Sequence, residues 1–456
     1  VGLVTGADAL SKDFIDNPII KQYIDDPKCS IILFENPPYA ETTSAEHQRK
    51  GKSKSSSIWK ESYVVSEMKK EVRGTVSNDL GNAFIWSGFK YYLRQPTDSY
   101  IVYSPVKYWK SQHLINKKFN GGFAFNRRHF HTNIDACIMC AYWSNDYGNE
   151  TEISISAYDI DKTTNSLIYY NNIPVKKIFS TYSKVYYDKR QIPQEKRIGI
   201  LVGLNGTEKI GGKQRSHNHG EQRNRPATDE DIIGYMVAHS SGFDNPDLDS
   251  SLLVAARYDG NGFFLHKDNY LEKLPMFCAS RYITYNRAWT ERARIMKSAD
   301  GAKNFCSDIA SGKLKQYLLK CLLFTCTEMQ NHMRTFIGSD GRFYRNELCL
   351  DSTNGQTIAL KDIEELKASD FEQKIISQWN SVLNYAKKAK EYNPSLTYGV
   401  YQISSEIDTS YKDEITGETI YNNVEVHTAL IGLKTLVKEY YNTEIVPILF
   451  KYEFLK

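Results

Sequence analysis

A short apolar run, Ile31-Ile32-Leu33-Phe34, breaks off two residues before a pair of prolines, and this junction limits the folds open to the chain. Four apolar residues closed by Pro37-Pro38 are typical of a buried parallel strand that ends at a loop. Strand, helix and strand patterns with short connections predict an α/β fold with a doubly wound sheet. The later segments of this pattern are a helix over 82–94 and strands over 100–103 and 134–142.

After residue 145 the pattern changes in two steps. Alternating polar and apolar residues predict a β-containing region over 146–310, and apolar residues at helical spacing predict a helical region over 311–456. The apolar stripes of these helices are interpreted as core and not as cofactor sites. The segments that carry the prediction are 153–158 and 167–170 for strands, and 314–329, 371–386 and 425–441 for helices.

Composition places the chain among ordinary globular proteins, with 41% hydrophobic and 25% charged residues. No apolar run approaches the roughly 18 residues that a membrane span needs, and no signal-peptide pattern is present, so a cytoplasmic location is expected. The eight cysteines are scattered, which favours reduced thiols. Cys137 and Cys140 stand three residues apart in a predicted strand and face opposite sides, so core packing is preferred over metal binding.

The net charge of +4 does not by itself identify a polyanionic partner, but the basic residues are clustered. Three stretches that are nearly free of acids, within 47–60, 99–134 and 209–225, suit contacts with phosphates. A solvated loop is the better explanation of any one of them alone, whereas three together favour a polyanion. The residues predicted to contact DNA are Arg49, Lys50, Lys52, Lys107, Lys110, Arg127, Arg128, Lys213, Arg215, Arg223 and Arg225.

The tetrapeptide Asn36-Pro37-Pro38-Tyr39 carries the clearest chemical signal. An exocyclic aromatic amine is a weak nucleophile, because its lone pair is delocalised, and it attacks only when two acceptors hold its hydrogens. The Asn36 side-chain oxygen and the Pro37 carbonyl can supply that pair from a rigid turn, and Tyr39 can lie against a base. The predicted position, at the carboxyl end of a strand, is where α/β folds bind ligands. A proline turn that merely ends a strand is the alternative.

Residues 31–39 resemble motif IV of the N6-adenine DNA methyltransferases, and residues 5–10 resemble their motif III. The resemblance implies a partial Rossmann-like methyltransferase sheet over 1–145, S-adenosylmethionine as methyl donor, and double-stranded DNA as partner, with the target adenine flipped out of the duplex. It gives Asn36, Pro37 and Tyr39 catalytic roles. Asp8, with Ala9, would bind the adenine amine of the cofactor. The motif order is similar to the gamma arrangement, in which a target-recognition region follows over 146–310.

The resemblance carries further expectations. Residues 123–142 are similar to the motif VIII region, so Phe125, Phe130 and Pro38 are candidates for contact with the flipped base, although Phe125 and Phe130 fit core positions equally well. The glycine-rich motif I and the motif II acid of the family would precede Val1. The chain is therefore expected to be N-terminally truncated and inactive by itself. Related restriction-modification enzymes also carry an endonuclease, fused upstream or associated.

Two histidine pairs, His129 with His131 and His217 with His219, invite a metal or nuclease interpretation, but without suitably spaced carboxylates or cysteines a loop or DNA-contact role is preferred. Two alternatives to DNA methylation stay open. One is a methyltransferase that acts on RNA or on a protein glutamine. The other is a DNA-recognition module without activity in this form.

Overall fold

The computed structural model describes residues 8–37, 58–72, 76–130, 137–161, 163–187, 209–210, 213–214, 231–237, 251–253, 262–281, 294–337 and 343–456. The chain divides into two compact units. Unit 1 comprises 1–178 with 286–294, and unit 2 comprises 179–285 with 295–456. The predicted boundary at 145 falls inside unit 1, so the first strands assigned to the target-recognition region belong to the same unit as the Asn36 turn.

Unit 1 consists of short helices and one sheet. Its α-helices are α1 (Lys12–Ile15), α2 (Pro18–Ile24), α3 (Tyr63–Glu71), α4 (Leu80–Ser87) and α5 (Lys107–Lys110), and a π-helical turn, Gly88–Tyr92, continues α4. Its strands are β1 (Ile32–Glu35), β2 (Ser99–Pro105), β3 (Lys117–Asn126), β4 (Cys137–Tyr147), β5 (Glu152–Ile160) and β6 (Leu167–Lys176).

The six strands form one mixed sheet in the order β1-β2-β4-β3-β5-β6. β1 is parallel to β2, β4 is antiparallel to both β2 and β3, and β3 is parallel to β5. β6 pairs antiparallel with β5. The α/β class is confirmed in this coarse sense. β4 lies inside the sheet and runs opposite to the strands on both of its sides.

One face of the sheet packs against helices. Leu33 of β1 contacts a core of α3 and α4 side chains that includes Val65, Met68 and Trp86. The prediction that β1 is buried was wrong for the other face, because Ile32 is 68% exposed and Phe34 is 61% exposed. The reason is that side chains alternate along a strand, so Ile32 and Phe34 point away from the helix core that Leu33 contacts.

The cysteine prediction is confirmed. Cys137 and Cys140 are both buried in β4, and burial raises the pKa of the Cys137 thiol to about 12. A thiol with that pKa stays protonated at neutral pH and behaves as a small apolar side chain. The described residues contain no group of three His, Cys, Asp or Glu that could hold a metal ion.

Unit 2 contains small sheets and most of the longer helices. Its strands are β7 (Lys209–Ile210), β8 (Lys213–Gln214), β9 (Ile232–Val237), β10 (Ser251–Leu253), β11 (Gly262–His266), β12 (Phe336–Ile337), β13 (Phe343–Tyr344), β14 (Ser410–Lys412) and β15 (Thr419–Tyr421). Its helices are α6 (Tyr182–Val185), α7 (Tyr270–Ala279), α8 (Ala302–Ala310), α9 (Lys315–Thr327), α10 (Ile358–Ile363), α11 (Asp370–Ala386), α12 (Val400–Glu406), α13 (Val424–Tyr440) and α14 (Val446–Lys451).

The predicted helical stripes form the core of unit 2. α11 begins at a capping box, in which Ser369 and Glu372 satisfy each other's backbone donors, and its face Ile375, Trp379 and Leu383 is buried. α9 is buried on nearly all sides and packs with α7 and α13. Gly417, with φ of +71°, turns the β14–β15 hairpin. Among the described helices, none has the length and apolar character needed to cross a membrane.

Candidate functional site at the carboxyl edge of the sheet

The direction of the strands in unit 1 defines one edge of the sheet. β1, β2, β3 and β5 all run the same way, since β1 and β2 are parallel, β4 reverses, and β3 reverses again to run parallel to β5. Their carboxyl ends therefore lie at the same edge. Ligands of α/β sheets bind at such an edge. The residues that follow these four strands form the candidate site.

Asn36 and Pro37 follow β1 directly and stand at this edge. The Asn36 side chain is exposed, whereas Pro37 is buried. The parallel register pairs Glu35 with Val102, so the turn leaves the sheet beside the carboxyl end of β2. An exposed amide on a buried, rigid anchor suits an acceptor that must meet an incoming amine. Pro38 and Tyr39 lie outside the described residues.

The strand beneath the turn is tied at both ends. At its start, the buried Asp98 carboxylate accepts the Ile31 N–H at 2.9 Å and the Arg94 N–H at 2.8 Å. Burial acts to raise the pKa of Asp98, but the backbone donors outweigh it and hold the pKa below its ordinary value. At its end, the Tyr100 hydroxyl donates to the Glu35 carboxylate. The direction of β1 is therefore fixed by contacts beyond its own ladder.

A second group lies after β2. Asp79, the N-cap of α4, accepts the Gly81 N–H at 3.1 Å and the Tyr108 hydroxyl at 2.9 Å. Its second oxygen pairs with Lys107 Nζ at 2.6 Å. Lys107 remains partly exposed at the carboxyl edge. The predicted phosphate-contacting residue is thus positioned by an acid, and this pair holds α5 to the start of α4.

A third group follows β3 and β5. Arg127 and Arg128 follow the end of β3, and Arg128 is exposed. The His129 imidazole pairs with the Asp159 carboxylate near the end of β5. Tyr170 also donates to Asp159, at 3.5 Å. The pair joins two neighbouring strands at the edge of the sheet. The preference for a loop or DNA-contact role over a metal site stays a prediction. His131, His217 and His219 lie outside the described residues.

Aromatic rings connect the strands on the face opposite the helices. Ring centroids lie 6.0 Å apart for Phe34 and Tyr103, 6.5 Å for Tyr103 and Phe123, and 5.0 Å for Phe123 and Phe125. Phe125 also contacts Tyr158. Phe125 is half-buried in this row, and its role as a base contact or a core residue stays a prediction. The side chain of Phe130 is outside the described part of the structure.

The proposed cofactor residues lie before α1. One Asp8 carboxylate oxygen accepts the Leu10 N–H at 2.9 Å, and the side chain is exposed. Ala9 is half-buried. A carboxylate has more acceptor positions than one N–H occupies, so Asp8 fits the role of an acceptor for an amine. Asp8 and Ala9 are the predicted cofactor-binding residues, and both lie within the described part of the chain.

The basic residues that were predicted to contact DNA differ in their exposure and position. Lys107, Arg127 and Arg128 reach the carboxyl edge, but Lys110 does not contribute to a DNA surface, because it is buried at 1% exposure. It lies on the buried side of α5, and its charge lowers the pKa of the nearby Cys137 against the effect of burial. Lys213 belongs to β8, although its side chain is not described. Outside the described residues lie Arg49, Lys50, Lys52, Arg215, Arg223 and Arg225.

The sequence interpretation missed Glu35, Asp79 and Asp159. Glu35 carried a signal, since a charge interrupts an apolar strand immediately before Asn36. Asp79 also carried one, because Asp before an apolar helical segment is an N-cap pattern. Asp159 carried none, since its meeting with His129 depends on the pairing of β3 with β5.

Comparison with known proteins adds little. No family model matches the chain, and no curated protein matches it. Among solved structures, the chain is weakly similar to the Type IIL restriction-modification enzyme MmeI in complex with DNA, at 13% identity and a TM-score of 0.28. The match covers 99% of this chain and 59% of that enzyme. A likeness at this TM-score assigns neither a fold nor a function to the chain.

Proposed function

We propose that this chain forms the target-base side of an N6-adenine DNA methyltransferase in a restriction-modification or phage-defence system. One observation carries the proposal: Asn36-Pro37 follows a strand directly at the carboxyl edge of a parallel pair, with the Asn36 amide exposed and Pro37 buried. The full tetrapeptide, with Pro38 and Tyr39, completes the pattern of an amine-binding turn. The cations Lys107, Arg127 and Arg128 at the same edge suit the phosphates that flank a flipped base.

The chemistry follows from the acceptors. S-adenosylmethionine, when bound, supplies the electrophilic methyl group. The Asn36 side-chain oxygen and the Pro37 carbonyl accept the two N6 hydrogens, which orients the amine lone pair for in-line attack. As the N–C bond forms, the bond between the methyl group and the donor sulfur breaks and a neutral thioether leaves. The nitrogen becomes positively charged, and the same acceptors stabilise that charge until a proton leaves to solvent. Catalysis is thus positioning with electrostatic stabilisation. Asp8 would hold the amine of the cofactor.

The test is transfer of labelled methyl groups by the full-length protein to mixed-sequence duplex DNA that lacks N6-methyladenine. We expect N6-methyladenosine after digestion. Asn36→Ala should lower the rate by on the order of 10²- to 10³-fold, as loss of one positioned polar group does, with duplex binding retained. Asn120→Ala, an exposed asparagine in the first half of β3, is the matched control and should keep the wild-type rate.

The outcomes separate the competing functions. Labelled RNA or labelled protein glutamine in place of DNA would move the assignment to those substrates. Salt-dependent duplex binding without any methyl transfer would support a recognition module. Methylation of DNA by Asn36→Ala at the wild-type rate would refute the catalytic assignment of the turn.

A further inference from the structure

Glu35 is the last residue of β1 and immediately precedes Asn36. Side chains alternate along a strand, so Glu35 shares the helix-covered face with Leu33, opposite to Phe34. A carboxylate on this face needs a partner, and the Tyr100 hydroxyl of β2 supplies one. The contact lies one residue from the exposed amide of the proposed catalytic turn.

The donor is held rigidly. Tyr100 is fully buried, and the ring of Phe89 meets its ring edge-on, with centroids 5.0 Å apart. The π-helical turn presses on it directly, since a Cβ added to Gly88 would lie 3.0 Å from Leu33 Cδ2 and 3.1 Å from Tyr100 Cζ. The hydroxyl therefore has little freedom to follow a moving acceptor. Any shift of the Glu35 backbone would stretch the hydrogen bond.

The surroundings of Glu35 have little other capacity to hold it. Tyr92 lies at the end of the π-helical turn, where burial and the nearby Glu35 charge raise the pKa of its hydroxyl. That hydroxyl has no hydrogen-bond partner within the described residues. Burial raises the pKa of Glu35 to about 7, against the opposing effect of the Tyr100 hydrogen bond. The titratable groups that meet at this point are thus Glu35, Tyr92 and Tyr100.

The strand itself is short. β1 has four residues and pairs with β2 alone in the described structure, so its ladder gives limited resistance to twisting or sliding. Asp98 holds Ile31, the residue just before the strand, through its N–H. The Tyr100–Glu35 contact is the corresponding attachment at the end from which Asn36 and Pro37 project.

We propose that Glu35 is a positioning residue, whose hydrogen bond from Tyr100 sets the depth and direction at which Asn36 and Pro37 present their acceptors to the target amine. This inference rests on the proposed function. Glu35 acts through the backbone of the turn and does not contact the substrate. A displacement of about 1 Å in a reacting group lowers rates by up to roughly 100-fold, so a modest loosening has a measurable effect.

The experiment uses two substitutions in the full-length protein. Tyr100→Phe keeps the ring and removes the donor, whereas Glu35→Gln keeps an oxygen acceptor for the Tyr100 hydroxyl. We expect Tyr100→Phe to lower kcat by about 10- to 100-fold with KM for DNA nearly unchanged, and Glu35→Gln to stay within about threefold of wild type. Tyr182→Phe is the matched control, because it removes another buried tyrosine hydrogen bond, to the Phe454 carbonyl at 3.0 Å in unit 2.

A second readout does not depend on activity. Hydrogen exchange of a peptide spanning 31–37 should rise in Tyr100→Phe and remain at the wild-type level in Glu35→Gln and Tyr182→Phe. Wild-type kcat in Tyr100→Phe, or unchanged exchange of that peptide, would overturn this inference alone. A wild-type protein that methylates none of the offered substrates would instead refute the proposed function, while the exchange data still decide whether the contact holds β1. Equal losses in Tyr100→Phe and Tyr182→Phe would reduce the contact to general stability.

Discussion

The two units can be compared through their buried polar side chains. In unit 2, Thr335, Asn346 and Gln402 form a hydrogen-bonded network: the Thr335 N–H donates to Gln402 Oε1 at 3.0 Å, and Asn346 bonds the Met333 carbonyl at 3.1 Å and the Leu348 N–H at 2.9 Å. In unit 1, Asn82 Oδ1, the Tyr92 hydroxyl and the Ser104 hydroxyl have no partner among the described residues. Unit 2 also contains such groups, among them the Tyr186 hydroxyl and Thr397 Oγ1.

A satisfied buried network fixes one packing arrangement, whereas unsatisfied polar groups cost stability. Both units contain unsatisfied groups, so the difference is local: unit 2 has the Thr335–Asn346–Gln402 network, and unit 1 has Glu35, whose pKa burial raises beside the Asn36 turn. We expect the network to be a rigid part of unit 2, and we place the proposed chemistry at the carboxyl edge of unit 1.

The largest expected effects come from the buried tryptophans. Trp379 of α11 donates its indole N–H to the Leu350 carbonyl at 3.0 Å, and Trp143 of β4 is buried in unit 1. Replacing either with alanine should cost about 3–5 kcal/mol of unfolding free energy. Hydrogen exchange measured in urea should show the loss in unit 2 for Trp379→Ala and in unit 1 for Trp143→Ala. Loss of protection throughout the chain in both variants would show one cooperative unit instead of two.

The next effect is a pH dependence of unit 2. Burial, with the nearby charges of Arg281 and Arg334, lowers the pKa of His332 from 6.5 to about 4. The unfolded chain therefore binds a proton on this histidine more readily than the folded chain does. The contribution of neutral His332 to the free energy of unfolding is complete above pH 6.5 and falls as the pH drops toward 4. A shift of this size corresponds to about 3 kcal/mol. His332→Phe, which keeps a ring against Tyr401, should remove this dependence in urea unfolding at pH 4.5 and pH 7.

Glu35 in unit 1 should contribute a pH dependence opposite to that of His332. The pKa of Glu35 rises from 4.5 to about 7 on folding, mainly through burial, so the folded state binds the proton more tightly. Stability from this group is present below pH 4.5 and is lost as the pH rises through 7. We expect a loss of about 2 kcal/mol between pH 5 and pH 8, reduced from the full shift because the carboxyl is half-buried. Glu35→Gln should flatten the profile, and a profile identical to wild type would contradict this assignment.

The smallest effects should come from exposed ion pairs, which are alike in both units. Lys90 pairs with Glu71 at 2.6 Å in unit 1, and Lys315 pairs with Glu365 in unit 2, all with side chains about half exposed. Solvent and salt screen such pairs, so Lys90→Ala and Lys315→Ala should each change the unfolding free energy by less than about 1 kcal/mol. A larger change in either variant would show that surface charge contributes substantially to the stability of that unit.

Local patterns predicted much of the fold. The helices α4, α9, α11 and α13 and the strands β2, β4, β5 and β6 lie where periodicity placed them, because the spacing of apolar residues depends only on the geometry of the element itself. Periodicity does not report which elements are neighbours. The prediction therefore separated β5 and β6 from the first region, although they extend the same sheet.

The amino-acid sequence by itself determined the chemistry of the turn at Asn36, because two prolines after an asparagine fix a local geometry and a set of acceptors. Only the tertiary structure decided what surrounds it. The strand order brings Arg128 and the His129–Asp159 pair to the same edge as Asn36, buries Lys110 and joins Glu35 to Tyr100. These contacts join residues far apart in the chain, and they depend on how whole elements pack, which no local pattern records.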